Sequence, residues 1–342
     1  LSGLVDLGWD AAWQGERDHL DMDGDPYRIV RHDGVKVLVS DGESTIHALF
    51  PRSLQLAVGD WVLVKNETVA ALLPRRTVLQ RDHEIRGPQL IASNIDLVLV
   101  VFGVDRPLRQ SKVMRFVAFA WDIGAEPIVI LSKVDLVDDA SESVDQVAAW
   151  VPNVQVHTTS IETGEGIAEI FSMLEGCTGT LIGESGAGKS SIVNALMQDE
   201  VAWVGEVRAA DAKGRHITSH RELHLLPGGG MIIDNPGVRA LGLAADGEGV
   251  DSLFSDIDDL VSECRFRDCS HQSEPGCAVA AAVASGEISR ERVAAYIKFT
   301  NEQGETRKRS DAKELTAHFR KEATEAREAR EVRDRDDINP DS

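Results

Sequence analysis

Gly183-Glu184-Ser185-Gly186-Ala187-Gly188-Lys189-Ser190 has the spacing G-x-x-x-x-G-K-[ST], follows a short apolar run and opens a helix-prone stretch from Lys189 to Met197. A loop of this kind demands a strand before it and a helix after it. Its glycines let consecutive backbone N–H groups curl around phosphate oxygens at the positive end of that helix. Lys189 is placed to reach terminal phosphates and Ser190 to ligate Mg²⁺, with Ser191 beside them as a further candidate contact. A second segment, Ser132-Lys133-Val134-Asp135, follows the apolar run Pro127 to Leu131, so Asp135 falls at the carboxyl end of a predicted strand, where parallel sheets build nucleotide sites. A carboxylate there accepts from N1–H and the exocyclic amine of guanine, a donor pair that adenine lacks. Thr159-Ser160-Ile161, after the next predicted strand, would brace that carboxylate and offer a backbone N–H to the guanine carbonyl. The base-reading segment therefore comes before the phosphate loop, the reverse of the usual order, and predicts a circularly permuted GTP-binding domain.

Asp234-Asn235-Pro236-Gly237 ends another apolar strand. In a P-loop protein a carboxylate at that place holds Mg²⁺ through water, and the Gly237 N–H binds the γ-phosphate. Between this segment and the phosphate loop lies Gly214-Arg-His-Ile-Thr-Ser-His-Arg221, in which Thr218 is the candidate second Mg²⁺ ligand and Ser219 its competitor.

The rest of the chain divides by pattern. Residues 1–24 form an N-terminal extension. Short strand-like runs separated by turn signals fill residues 25–80 and predict a small barrel of OB type. Apolar runs alternating with helical spacing over residues 92–245 predict a parallel α/β domain, with helices from Gln110 to Asp122 and from Gly166 to Leu174. Residues 251–335 carry a cysteine cluster and then a charged helix-prone stretch, and 336–342 are expected to be a disordered tail. The expected fold class is thus α/β, a permuted P-loop domain flanked by an N-terminal OB barrel and a C-terminal, mostly helical zinc domain. No apolar run is long enough to span a bilayer and the first residues lack a signal-peptide pattern, so a cytoplasmic protein without membrane contact is expected.

Cys264, Cys269, His271 and Cys277 offer three thiolates and one imidazole within fourteen residues, the ligand number and type of a closed structural zinc site. A catalytic zinc would keep a position open. The formal charge of −21 opposes binding to a polyanion, but basic residues cluster at Arg75-Arg76, from Arg208 to Arg221, at Arg265 and Arg267, and from Lys298 to Arg335, which leaves room for a basic face.

Taken together these residues resemble the RsgA (YjeQ) group of circularly permuted GTPases. The likeness includes Val58-Gly-Asp-Trp-Val62, the permuted motif order, Gly214-Arg-His216 and, most specifically, the stretch from Cys264 to Val279. It implies an OB-fold domain, a central GTPase using GTP/GDP and Mg²⁺, and a zinc domain, acting as a monomer on the small ribosomal subunit, its rRNA and its proteins, late in assembly. Hydrolysis stimulated by the subunit is expected, and a GTP-gated RNA-binding scaffold is the alternative. By position, Lys189, Thr218, Asp234 and Gly237 would serve catalysis. The sequence departs from the family pattern in having Ser132 for Asn, Ile217 for Thr and Asn235 for Thr, and Ser132 predicts weaker GDP affinity with guanine selectivity kept by Asp135. Val238 stands where Ras-like enzymes carry the glutamine that orients water, so slow intrinsic hydrolysis is expected, with His216 or His220 either placed near the water when the subunit orders that segment or contacting only RNA or solvent.

Overall fold

The computed structural model describes residues 2–20, 22–81, 89–198, 221–227, 229–234, 253–266, 269–271 and 274–301. Five short strands close a barrel: β1 (Asp25–His32), β2 (Lys36–Ser40), β3 (Thr45–Leu49), β4 (Trp61–Lys65) and β5 (Thr68–Leu72). Pairing runs β1-β2-β3-β5-β4 and back to β1, with β3 and β5 the single parallel contact. Alternation places Ile29, Val37, Val39, Ala48, Val62, Val64 and Val69 inside. A bulge between Ile29 and Arg31 bends β1, which pairs with three strands at once.

A hairpin, β6 (Val78–Arg81) and β7 (Gln89–Ser93), leads into the α/β part. There β8 (Leu97–Gly103), β9 (Glu126–Ser132), β10 (Gln155–Thr159), β11 (Thr178–Gly183), β12 (Glu222–Leu225) and β13 (Met231–Asp234) lie in the order β10-β9-β8-β11-β13-β12. All neighbours are parallel except β12 and β13. Every residue of β8 is buried, as its unbroken apolar run requires of a central strand covered on both faces. The helices are α3 (Gln110–Asp122), α4 (Ser141–Trp150), α5 (Ile167–Leu174) and α6 (Lys189–Gln198). One core joins Leu99, Val101, Ile130, Leu181 and Ile232 to Ile170, Leu174, Ile192 and Leu196 from α5 and α6.

Barrel and α/β sheet are one hydrogen-bonded sheet of eleven strands, because β1 pairs antiparallel with β12 at Arg31 and Glu222. Two N-terminal helices, α1 (Ser2–Asp6) and α2 (Ala11–His19), lie within the segment expected only as an extension. Asp10 caps α2 by accepting from the Trp13 N–H at 2.8 Å. Trp9 packs edge-on against Trp61 with ring centroids 4.8 Å apart.

Contacts divide the chain into two compact units, the first ending at Leu253 and the second starting at Phe254. The second unit holds α7 (Ser255–Ser262), α8 (Ala278–Ser285) and a helical stretch over 290–301. Phe254 packs against Tyr296 and Phe299, and buried Arg292 grips both oxygens of Asp256 at 2.7 Å. Among the described residues no helix is long and apolar enough to cross a membrane.

Candidate nucleotide-binding site

Strand register brings the sequence-predicted segments to one edge. Thr159, Ser132 and Gly103 lie in one row across β10, β9 and β8, while Gly183 pairs with Val101 on β8. Thr180 pairs with Ile233, so Asp234 leaves β13 at the same carboxyl edge. Residues 132–135, 159–161, 183–190 and 234 therefore lie at or just beyond one edge of the sheet, where loops leave the carboxyl ends of its parallel strands and where nucleotide crevices form in such sheets.

The phosphate loop turns at Gly183, whose φ is +136° and where a Cβ would stand 2.1 Å from the Val101 carbonyl oxygen. Only glycine permits that approach and that backbone. Glu184 and Gly188 are half-buried and Ala187 buried, while Ser185, Gly186, Ser190 and Ser191 are exposed. Lys189 opens α6 and its Nζ donates to the carbonyls of Gly183 at 2.8 Å and Glu184 at 2.6 Å. The ammonium is thus folded over its own loop.

Ser132 is buried, and its hydroxyl donates to the Ala187 carbonyl at 2.6 Å and the Phe102 carbonyl at 3.1 Å. The short side chain thereby ties the base-reading segment directly to the phosphate loop. Lys133 adopts a left-handed backbone, φ +64°, which turns the chain into a 3-10 turn carrying Asp135. Asp135 is exposed and its Oδ1 accepts from the Ser160 hydroxyl at 2.5 Å. Ser160 is held in turn by its N–H donating to Glu165 O at 3.0 Å, and Thr159 Oγ1 donates to the same oxygen at 2.8 Å. Ile161, just beyond the carboxyl end of β10, is 40% exposed, unusual for its type.

Asp234 is half-buried opposite Glu222, and burial together with that second carboxylate raises its pKa above the ordinary range. An ionised carboxylate in such surroundings is a good partner for a cation. Thr218 and Gly237, together with Ser219, His216, His220 and Val238, lie outside the described residues.

Three charged groups near the crevice carry no motif and were not foreseen: Asp105, Arg106 and Lys112. Asp105 accepts from Lys133 Nζ at 3.1 Å, and Lys112 of α3 pairs with Glu184 of the phosphate loop. Their sequence signal, a polar turn after the buried β8, is too common to be diagnostic.

In the second unit, Cys264 follows α7 and Cys277 caps α8, its Sγ accepting from Ala280 N–H at 3.3 Å. Cys264 Sγ lies 3.9 Å from Cys277 Sγ and 3.6 Å from His271 Nδ1, and Cys277 Sγ lies 3.8 Å from that nitrogen. With Cys269, the four ligand atoms all fall within 4.8 Å of one another. A zinc–sulfur bond of about 2.3 Å gives tetrahedral edges of about 3.8 Å, so the donor set fits zinc in number, type and spacing.

Of the basic clusters, Arg75 and Arg76 are engaged internally. Arg75 binds both oxygens of fully buried Asp60 at 2.7 Å, and Arg76 takes both oxygens of Asp10 at 2.9 and 3.0 Å while stacking over Trp13.

Residues 72–244 match the family profile described as RsgA GTPase. The small ribosomal subunit biogenesis GTPase RsgA of Streptomyces coelicolor is 38% identical over 94% of this chain and 92% of its own length. The protein of that name from Xylella fastidiosa is 40% identical over 74% of this chain and 75% of its own. Among solved structures, YjeQ from Thermotoga maritima superposes with a TM-score of 0.64 at 27% identity, covering 81% of this chain and 98% of that one. The circularly permuted GTPase YloQ superposes with a TM-score of 0.62 at 26% identity, covering 84% of this chain and 98% of its own. With its base-reading and phosphate-binding segments in permuted order on one sheet edge, the chain belongs to the RsgA GTPase family and is a GTP hydrolase that uses GTP/GDP and Mg²⁺.

Proposed function

We propose that this GTPase acts in the cytoplasm as a monomer on the small ribosomal subunit, contacting its rRNA and proteins late in assembly, and that the subunit stimulates its hydrolysis. The names of its relatives support the partner, and the Asp135 carboxylate, braced by the Ser160 hydroxyl at 2.5 Å beyond the carboxyl end of β9, carries the nucleotide assignment. In this reading Asp135, braced by Ser160, accepts from guanine N1–H and the exocyclic amine, Lys133 lies beside the base and the Ile161 N–H donates to the guanine carbonyl. Backbone N–H groups of residues 183–191 surround the phosphates, and Lys189 leaves the carbonyls of Gly183 and Glu184 to bind them. Ser190 and Thr218 would hold Mg²⁺ directly and Asp234 through water, the metal neutralising charge on the phosphates. Gly237 donates its N–H to the γ-phosphate, and loss of that interaction on hydrolysis releases the switch segment. Cys264, Cys269, His271 and Cys277 hold one structural zinc ion. The domain boundaries follow as a barrel over 25–80, a GTPase domain over 92–245 and a zinc domain over 251–335.

Turnover of GTP and ATP with and without purified small subunits tests this. GTP-specific turnover that rises strongly with subunits is the expected result; equal use of ATP would refute the guanine assignment, and tight GTP binding without stimulation would favour a GTP-gated scaffold. Chelation tests the zinc. All six tryptophans precede residue 254, so a chelator should lower the helical circular dichroism signal while the tryptophan-detected melting of the first unit stays in place.

A further inference from the structure

The loop after β8 bridges the two halves of the crevice with charges that no motif in the chain explains. Asp105 accepts from Lys133 Nζ at 3.1 Å on the base-reading side. It also accepts from Arg106, at 3.0 Å to Nη2 and 3.4 Å to Nε. From there Arg106 Nη1 donates to the Ser185 carbonyl of the phosphate loop at 3.3 Å. A Cβ placed on Gly186 would stand 3.3 Å from Arg106 Nη2, so the guanidinium lies directly over the loop's second glycine. One carboxylate thus serves two cations, and a third cation, Lys112, offsets Glu184. The Arg106 side chain is 41% exposed, free to turn toward a stronger anion than a neutral carbonyl.

Between a guanine at Asp135 and terminal phosphates at Lys189, a nucleotide must lay its ribose and α-phosphate across the gap that Arg106 spans. Resting on the nucleotide assignment above, we propose that Arg106 is a nucleotide-binding residue: its guanidinium exchanges the Ser185 carbonyl for the α-phosphate oxygens of guanosine di- or triphosphate, while Asp105 keeps it and Lys133 in place. A planar, always charged fork suits two phosphate oxygens in a way that a neutral donor does not.

Arg106→Ala and Arg106→Lys, assayed with fluorescent GDP, GDP itself and the two α-thio diastereomers of GDP, test the inference. The alanine variant should dissociate GDP about tenfold faster, the usual scale for one charge-assisted hydrogen bond. Lysine should restore part of the loss, and the discrimination that the unmodified protein shows between the diastereomers should shrink in the alanine variant. The melting temperature without nucleotide should not move. Dissociation within twofold of the unmodified protein would overturn the inference. So would faster dissociation with diastereomer discrimination intact, since that outcome means a disturbed loop and not the removal of a group that touches the α-phosphate. Failure of the unmodified protein to prefer GDP over ADP would instead refute the nucleotide assignment itself.

Discussion

β11 and β13 end in opposite environments. Their amino ends, Thr178 and Met231, are sealed beneath fully buried Arg28, which donates to Thr178 Oγ1 at 2.9 Å, Leu7 O at 2.5 Å, Asn94 O at 3.1 Å and Gly59 O at 3.3 Å, and reaches Met231 Sδ at 3.0 Å. Trp61 covers the same guanidinium at 5.4 Å. Their carboxyl ends lead into the loops of the candidate site, where Lys189 donates to carbonyls of its own loop and Asp234 is pushed toward protonation. At one end a charge is desolvated and fully partnered; at the other, charges are left with exchangeable partners. A GTPase needs both, a fixed sheet to hold loops in register and loops whose polar groups can change hands.

Arg28→Met tests the sealed end and should have the largest effect. Methionine fills much of the volume but takes the Arg28 donor from the Thr178 hydroxyl and from the buried Leu7 and Asn94 carbonyls, each costing about 1–3 kcal/mol when isolated, while the Gly59 carbonyl keeps its bond from Asn94 Nδ2 at 3.0 Å. Relief from burying a charge, whose pKa desolvation lowers to about 10, offsets part of that. A net loss of about 3 kcal/mol is expected in urea unfolding, since removing one partner of a buried network strands the rest. An unchanged midpoint would break the comparison, because the two ends would then be equally tolerant.

Gly183→Ala probes the boundary between the two regimes. Alanine at φ +136° with its Cβ 2.1 Å from the Val101 oxygen must push β8 and β11 apart or shift the loop. We expect a loss of about 2 kcal/mol, within the range for strained backbone positions, and nucleotide affinity reduced more than stability. Ser132→Ala follows at about 1 kcal/mol, the net worth of one buried hydrogen bond, read in the same unfolding assay. The Ser132→Asn variant should tighten GDP binding, since an amide is long enough to keep the bond to the loop and reach the base. Unchanged affinity there would mean that the hydroxyl already does all that the site requires.

The open end was legible in the sequence and the sealed end was not. Gly183 to Ser190, Asp135, Ser160 and Asp234 stand out because their residue types recur at the fixed spacing of nucleotide motifs, and the strand register brings them to one sheet edge, while the unbroken apolar runs of β8 and β9 can only be covered strands. Arg28 sits in a short strand beside the apolar Ile29 and Val30, and nothing local says that its partners come from residues 7, 59, 94 and 178. The N-terminal helices escaped for the same reason: within α2 only Trp13 is buried, so no apolar stripe marks it. Strand β12 is four residues long, too short for periodicity to register, yet it is the strand that welds barrel to sheet. Residues whose role is long-range packing carry little local signature, whereas residues whose role is a ligand carry a great deal.

The smallest expected effect has the opposite sign and bears most directly on the open end. Burial and the facing Glu222 raise the Asp234 pKa in the folded state, so folding takes up protons there and the ionised carboxylate works against stability near neutral pH. Asp234→Asn removes that charge while keeping the shape, and the nucleotide-free variant should melt slightly higher than the unmodified protein at pH 7. A raised folded pKa means that its stabilising contribution is complete only below the unfolded value near 3.8 and is lost as pH rises through the folded value. The advantage of the variant should therefore shrink as the medium is acidified through that window and be absent below it. Paired melting curves from neutral to acidic pH check this, with loss of Mg²⁺-dependent GTP turnover in the same variant as the counterpart. A variant that melts lower at neutral pH would show that the protein stabilises the ionised carboxylate, and this edge would then lack the destabilising charge that distinguishes it from the sealed end at Arg28.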